Sequence, residues 1–195
     1  MVRLFIYLLK LDVHKLLTAA EIYRTTMKHF NIQSMPCPGC KTKGHLSSHD
    51  KYSHHLVDYY EDKVQNGSVE IDRVYCESCK DTYSVLPDMF VPHTSYSILF
   101  ILLVFRAVIF RKKDENVEAV CIRYKIAVST YYRWKKRYRT HKSLCLGAIE
   151  KYLYEEDLHL KEPLNILSSD FLYGFYQRFG FSFLQYSKAM ESGGP

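Results

Sequence analysis

Four of the six cysteines fall in two Cys-x-x-Cys pairs, Cys37-Pro-Gly-Cys40 and Cys76-Glu-Ser-Cys79. Two residues between cysteines allow a tight turn that aims both sulfurs at one ion. Two such pairs complete the tetrahedral set that zinc prefers. Pro38-Gly39 suits that turn, which also leaves backbone amides facing the thiolates. Four protein thiolates leave no open position for water, so the expected role is structural. CPGC also has the spacing of a redox dithiol. Such dithiols open a helix after a buried strand, whereas these flanks are Pro-rich before and Lys/Gly-rich after. His45, His49, His54, His55 and His93 lie in the same region and leave a three-cysteine, one-histidine set open. The two complete pairs favour one zinc on Cys37, Cys40, Cys76 and Cys79.

The second constellation is basic. Residues 121–142 carry eight Lys or Arg and no Asp or Glu, and the whole chain has a net charge of +6. Charge concentrated in this way suits a polyanionic partner, here double-stranded DNA. Asp114 or Asn116 can cap a helix reaching Tyr124. Lys125-Ile126-Ala127 reads as a turn, and Ser129 as the N-cap of a helix to about Arg139. Tyr131, Trp134 and Tyr138 then form an inward stripe. Thr130, Tyr132, Arg133, Lys136 and Arg137 are left outward, the pattern of a helix-turn-helix whose second helix enters the major groove. Ser129, Thr130, Tyr132 and Arg133 suit the groove, with Thr130 and Arg133 placed for base edges. Lys135, Lys136, Arg137 and Arg139 suit phosphates.

These residues need elements to carry them. Residues 2–30 read as helical, with Leu4, Leu8, Leu11, Leu16, Ile22 and Met27 apolar and breaks near Asp12 or Thr18. Leu46, Tyr52, His54, Leu56 and Val57 mark a strand. Asn66-Gly67 is a hairpin turn signal. Val69, Ile71, Arg73 and Tyr75 follow at period two and lead into Cys76, so the two strands with a knuckle at each outer end read as a zinc ribbon. The 35 residues between the pairs exceed the roughly 15–20 of the compact pattern. That gap predicts an extended hairpin. Residues 84–97, punctuated by Pro87 and Pro92, read as a connection to an apolar helix from Tyr96 to about Lys112. Its core, Ile98–Phe110, spans thirteen residues, short of the roughly 20 a membrane span needs.

The expected fold is α+β, mostly α. It comprises an N-terminal helical segment (1–33), a zinc ribbon (34–92), a helix-turn-helix domain (93–142), a C-terminal helical segment (143–191) and a flexible tail (192–195). With 47% hydrophobic and 25% charged residues the chain is globular, not disordered. The apolar start, Met1–Lys10, is followed by no small-residue cleavage site. The paired cysteines then belong to a reducing compartment, and a cytoplasmic location is expected. Cys121 and Cys145 read as buried thiols.

CPGC, then RVYCESCKDTYSVLPDMFVP, then AVSTYYRWKKRY together resemble the DNA-binding front end of bacterial insertion-sequence transposases. The resemblance covers roughly residues 34–139. It implies that Cys37, Cys40, Cys76 and Cys79 bind zinc and that residues 129–139 contact DNA at terminal inverted repeats. Such transposases continue into a catalytic domain with separated carboxylates holding two metal ions. Only about 55 residues follow here. The expectation is therefore a DNA-binding, non-enzymatic mobile-element regulator, with a homodimer as a natural form. Two alternatives stand beside it. One is a protein-interaction module or inhibitor encoded by a mobile element or phage, motivated by the aromatic stretch Phe171–Tyr186. The other is a minimal nuclease or transposase using Asp157, Glu162 and Asp170.

Overall fold

The computed structural model describes residues 3–6, 18–87 and 89–139. The chain divides into two compact units between Ser97 and Ile98. That boundary lies five residues beyond the expected end of the ribbon at 92. The expected C-terminal segment and tail, with Cys145, Asp157, Glu162 and Asp170, fall outside the described residues.

The first unit is built on a sheet in the order β1-β4-β3-β2, from β1 (Arg3–Ile6), β2 (Leu46–Tyr60), β3 (Lys63–Cys76) and β4 (Thr82–Pro87). Strands β2, β3 and β4 are antiparallel, and β1 joins the free edge of β4 in parallel. The described residues divide almost evenly between helix and strand, so the mostly-α expectation is wrong. Three differences account for it. Arg3–Ile6 is a strand where a helix was expected. The hairpin strands run to 15 and 14 residues. Residues 82–87 form a strand that takes in the first four residues of the connection expected over 84–97, and β4 is buried along nearly its whole length. A strand covered on both faces shows an apolar run instead of alternation, and Pro87 at its end disguised it.

The hairpin turn also differs from expectation. It is Glu61-Asp62, with φ of 48° and 56°, between the paired Tyr60 and Lys63. Positive φ at both central residues is the turn that matches strand twist. Asn66 and Gly67 lie inside β3, opposite Val57 and Leu56. The register explains the choice. With the turn at 61–62, Cys76 pairs with Leu46, just beyond the first cysteine pair. A turn at 66–67 would put Cys76 opposite Val57, roughly 35 Å farther along the strand, and separate the two pairs. The expected single face of Val69, Ile71, Arg73 and Tyr75 is also broken. Val69 and Ile71 are buried, and then Val74 and Cys76. The change of phase coincides with a register shift between Ser48 and Lys51, where Asp50 pairs with Arg73 at 2.9 Å.

Helix α1 (Ala19–Met27) packs on this sheet through Ala19, Ile22 and Tyr23. Thr18 and Glu21 form a capping box at its start. Long-range hydrogen bonds of Ala19, Tyr23 and Arg24 fix its position. The Ala19 amide donates to the buried Asp58 carboxylate at 2.8 Å. The Tyr23 hydroxyl accepts from the Asp72 amide at 3.1 Å. Asp58 also accepts from the Ser97 hydroxyl at 2.6 Å, so one buried carboxylate ties α1, β2 and the end of the unit together.

The second unit contains α2 (Ile98–Ile109), α3 (Val117–Arg123) and α4 (residues 128–139). Helix α2 is shorter at both ends than the expected 96–112. Asn116 caps α3, its side-chain oxygen accepting from the Ala119 amide at 2.8 Å. Lys125, at φ 52°, makes the turn. The first backbone bonds of α4 run from Thr130 and Tyr131 to the Ala127 carbonyl, so Ser129 sits within the first turn instead of capping it. Phe100 of α2 meets Tyr124 and Trp134 edge-on. Phe105 meets Tyr131 and Tyr138 in the same way. The inward aromatic stripe is therefore where the sequence spacing put it. Among the described residues, no helix is long and apolar enough to cross a membrane.

Candidate functional site

Hairpin register brings the two cysteine pairs to one end of the sheet. The sulfurs of Cys37, Cys40, Cys76 and Cys79 all lie within 4.8 Å of one another. Cys37 Sγ is 3.6 Å from Cys79 Sγ, and Cys40 Sγ is 3.7 Å from Cys76 Sγ. A disulfide needs about 2.05 Å, and all four are free thiols. A tetrahedral ion with sulfurs at about 2.3 Å needs them about 3.8 Å apart, close to these separations. The four cysteines can therefore hold one metal ion.

The two knuckles are built alike. The Lys41 amide donates to the Cys37 carbonyl, and the Cys37 amide to the Thr42 carbonyl, both at 2.9 Å. The Lys80 amide donates to the Cys76 carbonyl, and the Cys76 amide to the Asp81 carbonyl, again at 2.9 Å. Lys41 and Lys80 occupy matching left-handed positions, at φ 63° and 62°. Glycine would hold that conformation at lower cost. Cys37 and Cys76 are fully buried, whereas Cys40 and Cys79 are half-buried.

The sulfurs are not equivalent electrostatically. A hydrogen bond from the Thr42 hydroxyl holds the Cys40 thiol down at about 6. The Tyr83 hydroxyl lowers Cys79 in the same manner. Cys76 receives an opposing bond from the Cys79 amide. Burial, with the Cys37 and Cys79 sulfurs alongside, nevertheless pushes it up to about 11. Four sulfurs this close cannot all ionise without a cation between them. The donor set, its geometry and its need for a counter-charge all fit a thiophilic divalent ion. Among the described residues no histidine joins the cluster. His54 stacks on Phe90 and His49 lies beside Tyr75.

The basic residues lie on α4. Tyr131 and Trp134 are buried, while Ser129, Tyr132, Arg133, Lys136 and Arg139 are exposed. Thr130, Lys135 and Arg137 are half-buried on the flanks, which takes Thr130 off the centre of the outward face. Lys135 Nζ sits 5.9 Å from the centre of the Tyr132 ring. All eight residues expected to touch DNA thus share one helix, with Ser129, Tyr132, Arg133 and Lys136 at the middle of its outer surface.

A family model described as a domain of unknown function, DUF6431, matches residues 37–134. The chain belongs to the DUF6431 family. No curated protein and no solved structure is found to match it. The DUF6431 match opens on the first cysteine of the cluster and closes at Trp134, so it spans both knuckles and the first half of α4. Two residues at the cysteine cluster, Thr42 and Tyr83, have no counterpart in the sequence reading, and Gly39 enters it only as part of the Pro38-Gly39 turn. The Thr42 and Tyr83 hydroxyls are hydrogen-bonded to the Cys40 and Cys79 sulfurs, and a Cβ on Gly39 would meet the Tyr83 hydroxyl. A Lys follows the second cysteine of each pair, at Lys41 and Lys80, and this recurrence is a sequence signal for matched knuckles.

Proposed function

We propose that this DUF6431 chain is a zinc-stabilised protein that binds double-stranded DNA through the outer face of α4. The carrying observation is the segregation of that helix. Its aromatic stripe is packed on α2, and the opposite face offers Arg133 and Lys136 beside Tyr132. A supported helix with a basic outer face suits the major groove, where arginine reads guanine and lysine neutralises phosphate. Zinc is the metal of choice for four thiolates in two matched knuckles, and here it acts as a clip with no catalytic role. The resemblance to insertion-sequence transposases supports a mobile-element origin. The role proposed is regulation through DNA binding in the cytoplasm, without strand transfer.

The test is titration of a labelled mixed-sequence duplex with the full chain across a salt series. Affinity is expected to fall steeply with salt, because each neutralised phosphate releases counterions. Arg133→Ala/Lys136→Ala is expected to weaken binding about tenfold or more at unchanged circular dichroism. Equal binding by that variant would overturn the assignment. A second reading, docking on a protein partner, draws on the exposure of Phe110 and Ile122, at 66% and 69%. A stoichiometric protein partner with no duplex binding at moderate salt would favour it.

A further inference from the structure

We infer that Thr42 and Tyr83 are positioning residues for the metal. Each gives its hydroxyl hydrogen to the second sulfur of one knuckle, and Gly39 is glycine in order to admit the Tyr83 hydroxyl. The inference rests on the metal reading of the four cysteines and goes beyond it. Thr42 Oγ1 lies 2.9 Å from Cys40 Sγ, and the Tyr83 hydroxyl lies 3.2 Å from Cys79 Sγ. A metal-bound thiolate has no hydrogen to give, so in both pairs the hydroxyl must donate. The arrangement is matched: one hydroxyl for each knuckle, in each case on the cysteine that is not fully buried. Cys37 and Cys76 are held by burial and by the knuckle backbone. Cys40 and Cys79 are held by side chains.

Gly39 supplies an independent observation. Its φ is not positive, so no backbone requirement explains a glycine there. A Cβ at this position would overlap the Tyr83 hydroxyl oxygen, while meeting the ring carbon that bears it at 3.4 Å and Cys79 Sγ at 3.8 Å. The missing side chain is therefore the space in which the hydroxyl reaches sulfur. Tyr83 itself is 1% exposed on β4, so its ring cannot swing away. Four thiolates around a divalent ion carry a net charge of −2. A hydroxyl bond to sulfur spreads that charge and fixes the direction of the sulfur lone pairs. Outer partners of this kind are worth about 10–100-fold in metal affinity.

The experiment is chelator competition on the full chain loaded with zinc, with the cobalt-loaded protein followed by its sulfur-to-metal absorption band. Tyr83→Phe keeps the buried ring and removes only the hydroxyl. It is expected to weaken metal binding about tenfold or more and to shift the cobalt band. Thr42→Val is expected to do the same, and Thr42→Ser to restore both. Gly39→Ala is expected to weaken binding in the native background but to add almost nothing to Tyr83→Phe, because the atom it strikes is gone. Tyr83→Phe and Thr42→Val holding metal within about twofold of wild type, with an unmoved band, would overturn the inference. So would a Gly39→Ala loss that adds in full to Tyr83→Phe. Wild-type protein that takes up no metal would overturn the zinc reading as well, which separates the two failures.

Discussion

Cys76 is the residue on which the first unit depends most. It is fully buried, it closes β3, and its backbone joins Asp81 and Lys80 in the second knuckle. Cys76→Ser replaces a metal ligand with a hydroxyl and leaves three sulfurs without their ion. Elemental analysis is expected to give about one zinc per wild-type chain and well under half in the variant, with loss of strand signal in circular dichroism. Full zinc in the variant would count against the tetrathiolate. His54 gives a second residue-scale expectation. Burial first, and then the charge of His55, hold it below the ordinary imidazole value, and its Nε2 is buried without a partner. A histidine lowered in the folded state contributes stability that is present above the unfolded value of about 6.5 and is lost as pH falls below it. Urea midpoints are expected to drop on acidification through that window, and to drop less in His54→Gln. The cysteines were legible in the sequence because metal ligation imposes spacing. Thr42, Tyr83 and Asp58 were not, because a hydroxyl or carboxylate partner is chosen by the fold and leaves no periodic trace.

At the scale of elements, the hairpin is the part the sequence misled about. Asn-Gly is a strong local turn signal, but local preference amounts to about a kilocalorie per mole. Misregistering the strands would separate the two cysteine pairs and displace the buried Val69, Ile71 and Leu56, at a larger cost. The turn fell instead on Glu61-Asp62, both in left-handed conformations. Replacing these by Asn-Gly is therefore expected to stabilise the chain by about 1 kcal/mol, read as a rise in melting temperature. Gly67 lies in strand without positive φ and with open space around its absent Cβ. Gly67→Ala is expected to be neutral or stabilising by up to about 1 kcal/mol. A marked loss would point to a turn at Asn66-Gly67. The inward stripe of α4 was readable from its spacing, because a helix packed on one side must repeat its apolar residues at 3.6. Its true N-cap at Ala127 was not, since Ser129 is the better capping residue type and the turn at Lys125 set the start.

For the molecule as a whole, the four-cysteine cluster belongs to the first unit and the proposed reading face to the second. Trp134 is the single tryptophan of the chain, and its ring meets that of Phe100 edge-on in the second unit. Chelating the metal is expected to abolish strand signal while leaving Trp134 emission blue-shifted. A red shift in step with metal loss would show the two units melting as one. The even balance of strand and helix was hidden from the sequence by β1 and β4. Both are short and belong to a sheet only because distant residues pair with them, which no local pattern reports. The central claim, that the chain reads duplex DNA with α4, is tested most directly by selecting duplexes from a random pool with the full-length zinc-loaded protein and sequencing them. An enriched motif is expected, and its enrichment is expected to disappear with Arg133→Ala/Lys136→Ala. A selected pool as diverse as the input, or a motif that survives that substitution, would contradict the claim.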